Sequence, residues 1–165
     1  MRKLLNKILS FFFTFIVRVK SKKSGIGLQV NGFSIVSRGT ILGDNVNFNG
    51  MRIRGRGNVT IGDNFHSGKE CLMISENHNF NKGSKIPYDH TYILKDIIIE
   101  DNVWLADRVI VLGGVRIGEG AVIQAGSVVV KDIPKYAIAG GHPAKVFAER
   151  DIKHYLSLKE NKQFH

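Results

Sequence analysis

From Ile99 onward an aliphatic residue stands at every sixth position: Ile99, Leu105, Val111, Ile117, Ile123 and Val129. Four places after each comes a second, mostly small residue: Val103, Val109, Val115, Ala121, Ser127 and Ile133. The blocks read IEDNVW, LADRVI, VLGGVR, IGEGAV, IQAGSV and VVKDIP. The same pattern stands upstream as LGDNVN from Leu42 and IGDNFH from Ile61. The spacing of those two starts is not a multiple of six, so at least one residue is inserted between them. Six is not a helical period, because six residues turn an α-helix through about 600°. It fits a short strand followed by a turn, with the first residue pointing into a core and a smaller inward residue four places later. Gly, Asp and Asn between them accept turn conformations with positive φ. Stacked strands of this kind predict a solenoid in which each coil buries its neighbour's face. Cys71 falls at the fifth position of the hexamer starting at Ser67 and is predicted to be a small core residue.

The register breaks twice. Residues 76–96 (ENHNFNKGSKIPYDHTYILKD) have no six-residue spacing and carry polar residues, Gly83 and Pro87. A long irregular segment inside a regular solenoid points to function. After Pro134, IAGGHPAKV reads as an exit from the solenoid, and 149–161 as a capping helix.

Residues 1–23 (MRKLLNKILSFFFTFIVRVKSKK) open with an apolar, aromatic run between basic residues. The run Ile8–Val17 is too short to span a bilayer, which takes roughly 20 residues. It has the basic start and apolar middle of a signal peptide, but runs into Arg18, Lys20, Lys22 and Lys23 with no small-residue cleavage site, so secretion is not expected. Two readings stand together: a helix that packs on the end of the domain, and an interfacial helix with its aromatics in the headgroups and its lysines on anionic lipid. The expected organisation is an N-terminal apolar basic segment over 1–31, a solenoid domain over 32–147 with its loop at 76–96, and a helical tail over 148–165.

Composition adds little beyond charge. The 18 glycines among 165 residues fit many turns, and one cysteine excludes a disulfide framework or a Cys-rich zinc site and fits a reducing compartment. The formal net charge of +10 suggests an anionic partner: a nucleic acid, a membrane surface or a phosphate-rich small molecule. No basic stripe interleaved with aromatics runs through the repeats, so nucleic acid is not expected.

The stretch DNVWLADRVIVLGGVRIGEGAVIQAGSVVVKDIP, followed by GGHPAKV, resembles the hexapeptide-repeat acyltransferases, in the branch with galactoside, maltose and polysaccharide O-acetyltransferases. The resemblance covers roughly residues 32–147. It implies an all-β fold, a left-handed parallel β-helix with an N-terminal helix and a C-terminal capping helix. The handedness rests on the resemblance alone, since crossovers are otherwise right-handed. It also implies a homotrimer with sites between subunits, acetyl-CoA as co-substrate, no metal, and a cytoplasmic enzyme, with peripheral contact through 1–23 placing it on the inner face of the membrane.

The family's catalytic histidine follows its Ile-Gly-Asp-Asn hexapeptide at a spacing that falls here on His78. A neutral imidazole suits removal of a hydroxyl proton near neutral pH. Glu76, Asp89 or a backbone carbonyl would orient it. On the donor side the resemblance points to Trp104 at the acetyl end, Ala106 and Asp107 at the thiol end of pantetheine, and Ala125 at its amides. Val130, Lys131 and Lys145 follow toward the nucleotide phosphates, with Phe147 and Arg150 beyond. Asp107 and Val130 depart from the family's usual residues. On the acceptor side it points to His66, Asn77 and Trp104. Asn47, Asn49, Arg54 and Arg56 are further candidates. The expected reaction is O-acetylation of a sugar hydroxyl, in a capsule, O-antigen or exopolysaccharide precursor. Alternatives are N-acetylation of an amino sugar, a non-catalytic scaffold, and a zinc carbonic anhydrase of the same fold. The last needs two ligand histidines five apart, whereas His66, His78 and His90 are evenly and widely spaced.

Overall fold

The structure, a computed structural model, describes residues 2–165. Three parallel sheets wrap around one core. The first stacks Lys23–Ser24, Thr40–Leu42, Val59–Ile61, Ile97–Ile99 and Arg116–Ile117. The second stacks Gln29–Gly32, Asn47–Asn49, His66–Lys69, Trp104–Leu105, Val122–Ile123 and Ala137–Gly141, and ends in the antiparallel strand Ala144–Glu149. The third stacks Arg52–Arg54, Leu72–Ile74, Ile110–Leu112 and Val128–Val129.

The six-residue pattern is the inward pattern of these coils. Every first-position aliphatic from Ile99 to Val129 is at most 1% exposed, and Val103, Val109, Val115, Ala121, Ser127 and Ile133 are buried behind them. Burying each large aliphatic contributes roughly 1.5–3 kcal/mol, so the stack is held chiefly by this column. Cys71 is fully buried, its Sγ 3.1 Å from the Ala106 carbonyl, and burial pushes its thiol up to about 11. It is a core residue with no accessible thiolate.

The corner after the first sheet shows why the hexamers read Gly-Asp-Asn. Asn45, Asn64 and Asn102 take left-handed backbone at φ 54°, 53° and 59°. Their side chains form a ladder, Asn45 donating to Asn64 and Asn64 to Asn102, each at 3.0 Å. Beside it Asp44, Asp63 and Asp101 each accept a backbone N–H from the preceding coil, at 2.8 Å. A Cβ at Gly43 or Gly62 would lie 2.2 Å from the carboxylate of the next coil's aspartate. Glycine is therefore required wherever that aspartate strut stands against it.

Helix α1 (Arg2–Lys20) caps one end of the solenoid. Val17 is fully buried, Phe13 packs against the core, and Thr14 Oγ1 accepts the Val30 N–H at 3.0 Å. The first strand of the solenoid stack is Lys23–Ser24, paired in parallel with Ile41 and Leu42. At the other end the strand hairpin of Ala137–Gly141 and Ala144–Glu149 is followed by helix α2 (Ile152–Glu160), capped by Asp151 accepting from the His154 N–H. The Tyr155 hydroxyl accepts from Asn102 at 2.9 Å and donates to Glu119 at 3.1 Å, and Lys159 also donates to Glu119. The asparagine ladder thus ends on α2.

Candidate active site

The pairing of Ile61 with Ile99 locates the insertion. Asp63 and Asp101 are 38 residues apart, whereas Ile26 and Asp44, on adjacent coils, are 18 apart. The difference is about one coil's worth of extra chain, and it leaves the solenoid after the third sheet. The segment 76–96 is not irregular throughout. Glu76–His78 and Tyr92–Leu94 form an antiparallel arm, with His78 opposite Tyr92 and Glu76 opposite Leu94.

His78 ends the first strand of this arm, half-buried. Its imidazole stacks on Tyr88 with ring centroids 3.7 Å apart and 14° between planes, and on its other neighbour, Tyr92, at 4.7 Å and 34°. Nδ1 is buried and meets no hydrogen-bond partner among the described residues. Neither carboxylate considered from the sequence orients it. Glu76 pairs with Arg56, Oε2 to Nε at 2.6 Å, and that hydrogen bond holds its carboxyl below the ordinary range. The Arg56 guanidinium in turn lies 4.3 Å from the centre of the Tyr92 ring. Asp89 is consumed in shaping the loop tip. It accepts from the Thr91 hydroxyl and N–H and from the Ser84 N–H and hydroxyl, which hold it far below the usual carboxylate range. Two aromatic rings, rather than an acid, set the imidazole plane. Arg56, a candidate for acceptor contact, buttresses one of those rings.

Two clefts hold some of the remaining candidates. A small one of about 170 Å³ opens beside the arm, lined by Glu76, Asn77, Ile93, Lys95, Gly113 and Val130. A larger one of about 660 Å³ lies on the second sheet under α2 and the tail, with Asn47, His66, Trp104, Arg150, Phe164 and His165 in its wall. There the outward residues form one row in register: Gln29, Asn47, His66, Trp104, Val122 and Ile138. Trp104 is 47% exposed. His66 packs against His165 at 5.4 Å, and burial followed by the proximity of that second imidazole lowers its pKa, favouring the neutral ring. Ala106 and Ala125 sit at successive turns out of this sheet, Ala106 giving its N–H to Ile123. Asp107 accepts the Lys69 N–H at 2.7 Å, the same strut role as Asp63. Lys131 and Lys145 are exposed, and neither makes an ion pair among the described residues. No group of three His, Cys, Asp or Glu side chains converges as a metal site among them.

Residues 96–131 match the family model "Bacterial transferase hexapeptide (six repeats)". The fold superposes on a galactoside acetyltransferase in complex with coenzyme A with a TM-score of 0.74 at 26% identity, over 92% of this chain and 82% of that one. Residues 96–131 carry hexapeptide repeats, and the chain has the left-handed β-helix fold of the acetyltransferase it superposes on. A hexapeptide-repeat acetyltransferase of Vibrio cholerae complexed with acetyl-CoA gives a TM-score of 0.71 at 27% identity, over 80% of this chain and 73% of that one. In sequence, the galactoside O-acetyltransferase of Lactococcus lactis is 52% identical over 64 residues, 37% of this chain and 31% of that one. A Schizosaccharomyces pombe relative is 43% identical over 90 residues, 53% of this chain and 41% of that one. The chain therefore matches less than half the length of these curated relatives.

Within this hexapeptide-repeat fold the structure brings His66 and Trp104 together in one cleft, and Asn77 and Val130 in another. It does not place His78 in the cleft of Trp104. Sequence reasoning missed Tyr88 and Tyr92 as partners of His78. The segment holds three aromatics, Phe80, Tyr88 and Tyr92, and no spacing singles out the two tyrosines. Sequence reasoning also missed Phe164 and His165, whose place in the larger cleft depends on a helix turning the chain back.

Proposed function

We propose that this chain is an acetyl-CoA-dependent O-acetyltransferase acting on a sugar hydroxyl, with His78 as general base. The observation that carries the reading is the imidazole of His78 held against Tyr88 and Tyr92 where the regular coils give way to the arm. A flat, clamped imidazole is a rigid proton acceptor, and rigidity at the reacting atom is worth more than affinity. As the acceptor oxygen attacks the thioester carbonyl, its proton passes to the imidazole. The carbon–sulfur bond then breaks, and the imidazolium returns the proton to the departing coenzyme A thiolate. No acyl-enzyme is needed, and buried Cys71 is in no position to form one.

Trp104 and His66 would meet the acetyl and sugar ends, and Ala106, Asp107 and Ala125 the pantetheine arm. Val130, Lys131 and Lys145 would follow it to the phosphates, where basic side chains suit the charge. Because His78 stands on the arm, outside the cleft that holds Trp104, this reading requires a neighbouring chain to bring them together. A homotrimer with three equivalent interfaces supplies that. The setting is cytoplasmic and the acceptor a surface-polysaccharide precursor.

The test is thiol release from acetyl-CoA against hydroxyl sugars, amino sugars, nucleotide sugars and purified surface glycans. Release that depends on a hydroxyl acceptor supports the reading. Release only with amino sugars replaces it with N-acetylation, and coenzyme A failing to bind at all removes the enzyme reading.

A further inference from the structure

Helix α1 carries two unlike faces. Its inward face, Phe13, Thr14 and Val17, closes the solenoid. The opposite face presents Leu4, Ile8, Phe11, Phe15 and Val19, spaced at four and three residues along one side. All five are exposed, Phe11 at 78% and Val19 at 69%, and Leu5 and Phe12 widen the stripe. A cap helix needs only its inward side apolar. An outward stripe of this size on a free surface calls for a partner.

Charge says which partner. The first acidic residue of the chain is Asp44, so α1 and the turn after it hold no carboxylate at all. Exposed Lys7 and Arg18 fall along one flank of the stripe, and Lys20, Lys22 and Lys23 gather at the end of the helix and just beyond. A second copy of this helix would set these cations against one another. An anionic bilayer satisfies both features, taking the aromatics and aliphatics at the headgroup boundary and the cations on phosphate. The helix is not long and apolar enough to cross the membrane.

We infer that the outward face of α1 is a docking surface for an anionic lipid bilayer, with Leu4, Ile8, Phe11, Phe15 and Val19 inserted and Lys7 and Arg18 on the headgroups. The helix lies in the plane of the membrane while its other face holds the solenoid. This stands apart from the proposed acetyl transfer and would hold for a chain with any activity.

The test is co-sedimentation of the full chain with vesicles of phosphatidylcholine alone and of phosphatidylcholine with phosphatidylglycerol. Variants are Phe11→Ser with Phe15→Ser, and Lys7→Glu with Arg18→Glu; all four positions are exposed, so the fold should survive, and circular dichroism checks it. Binding is expected only to the anionic vesicles, weakened about tenfold or more by either pair and by added salt. Sedimentation velocity without lipid is run alongside. Equal binding to neutral vesicles, no loss in either folded variant, or a dissociation of oligomers caused by the phenylalanine pair in place of a loss of vesicle binding would overturn the inference.

Discussion

The imidazole of His78 lies flat on the ring of Tyr88, with centroids 3.7 Å apart. Such a stack fixes the plane of the base. Tyr88→Ala should therefore lower kcat by about tenfold with little change in KM, while Tyr88→Phe, which keeps the ring, should restore it. Steady-state kinetics on the two variants decides. Equal losses in both would assign the effect to the hydroxyl, and a rise in KM alone would make Tyr88 a binding residue.

A second prediction follows from the separation of His78, on the arm, from the cleft that holds Trp104. If the site forms between chains, His78→Ala and Trp104→Ala subunits, each inactive alone, should complement when co-expressed. Random mixing in a cyclic assembly gives an intact site at about one interface in four. Activity near a quarter of wild type is expected in the mixed preparation. No recovery in verified mixed oligomers would place both residues in one chain's site.

Much of this fold was legible because the core of a β-helix is periodic in sequence. The same six-residue step that places Ile99 places Ile117 and Ile123, and all are buried. The start of the solenoid was hidden by one polar residue. Ser24 stands where Leu42 and Ile61 stand on the next coils, and Gly27 takes the left-handed turn that Asn45 and Asn64 take. The motif Gly-x-Gly-apolar was present at Gly25–Leu28, but without its leading aliphatic it did not read as a repeat. The site was less legible. His78 was reached through the spacing that the family resemblance implies, counted from Ile61. Its neighbours were not, because Tyr88 and Tyr92 reach it through a loop closure, and Arg56 reaches Tyr92 through a contact between coils, which no local spacing encodes.

Stability should depend on acid through Glu119. Burial alone would raise its carboxyl, yet hydrogen bonds from Lys159 and Tyr155 outweigh this and hold it below the ordinary range. A lowered folded value means the carboxylate stabilises the fold above the unfolded value, near about 4.3, and that this contribution fades as pH falls through the folded value. Glu119→Gln should melt at a lower temperature than wild type at neutral pH and lose less on acidification. Thermal melts across the acidic range test this. Parallel curves for the two proteins would show that the α2 attachment does not rest on this charge.

The most direct test of the account is His78→Ala, measured for coenzyme A binding by calorimetry and for acceptor-dependent thiol release. The account predicts donor binding within about threefold of wild type and turnover reduced by at least about a hundredfold, the contribution of a positioned general base. Turnover close to wild type in a variant that still folds and binds donor would contradict it.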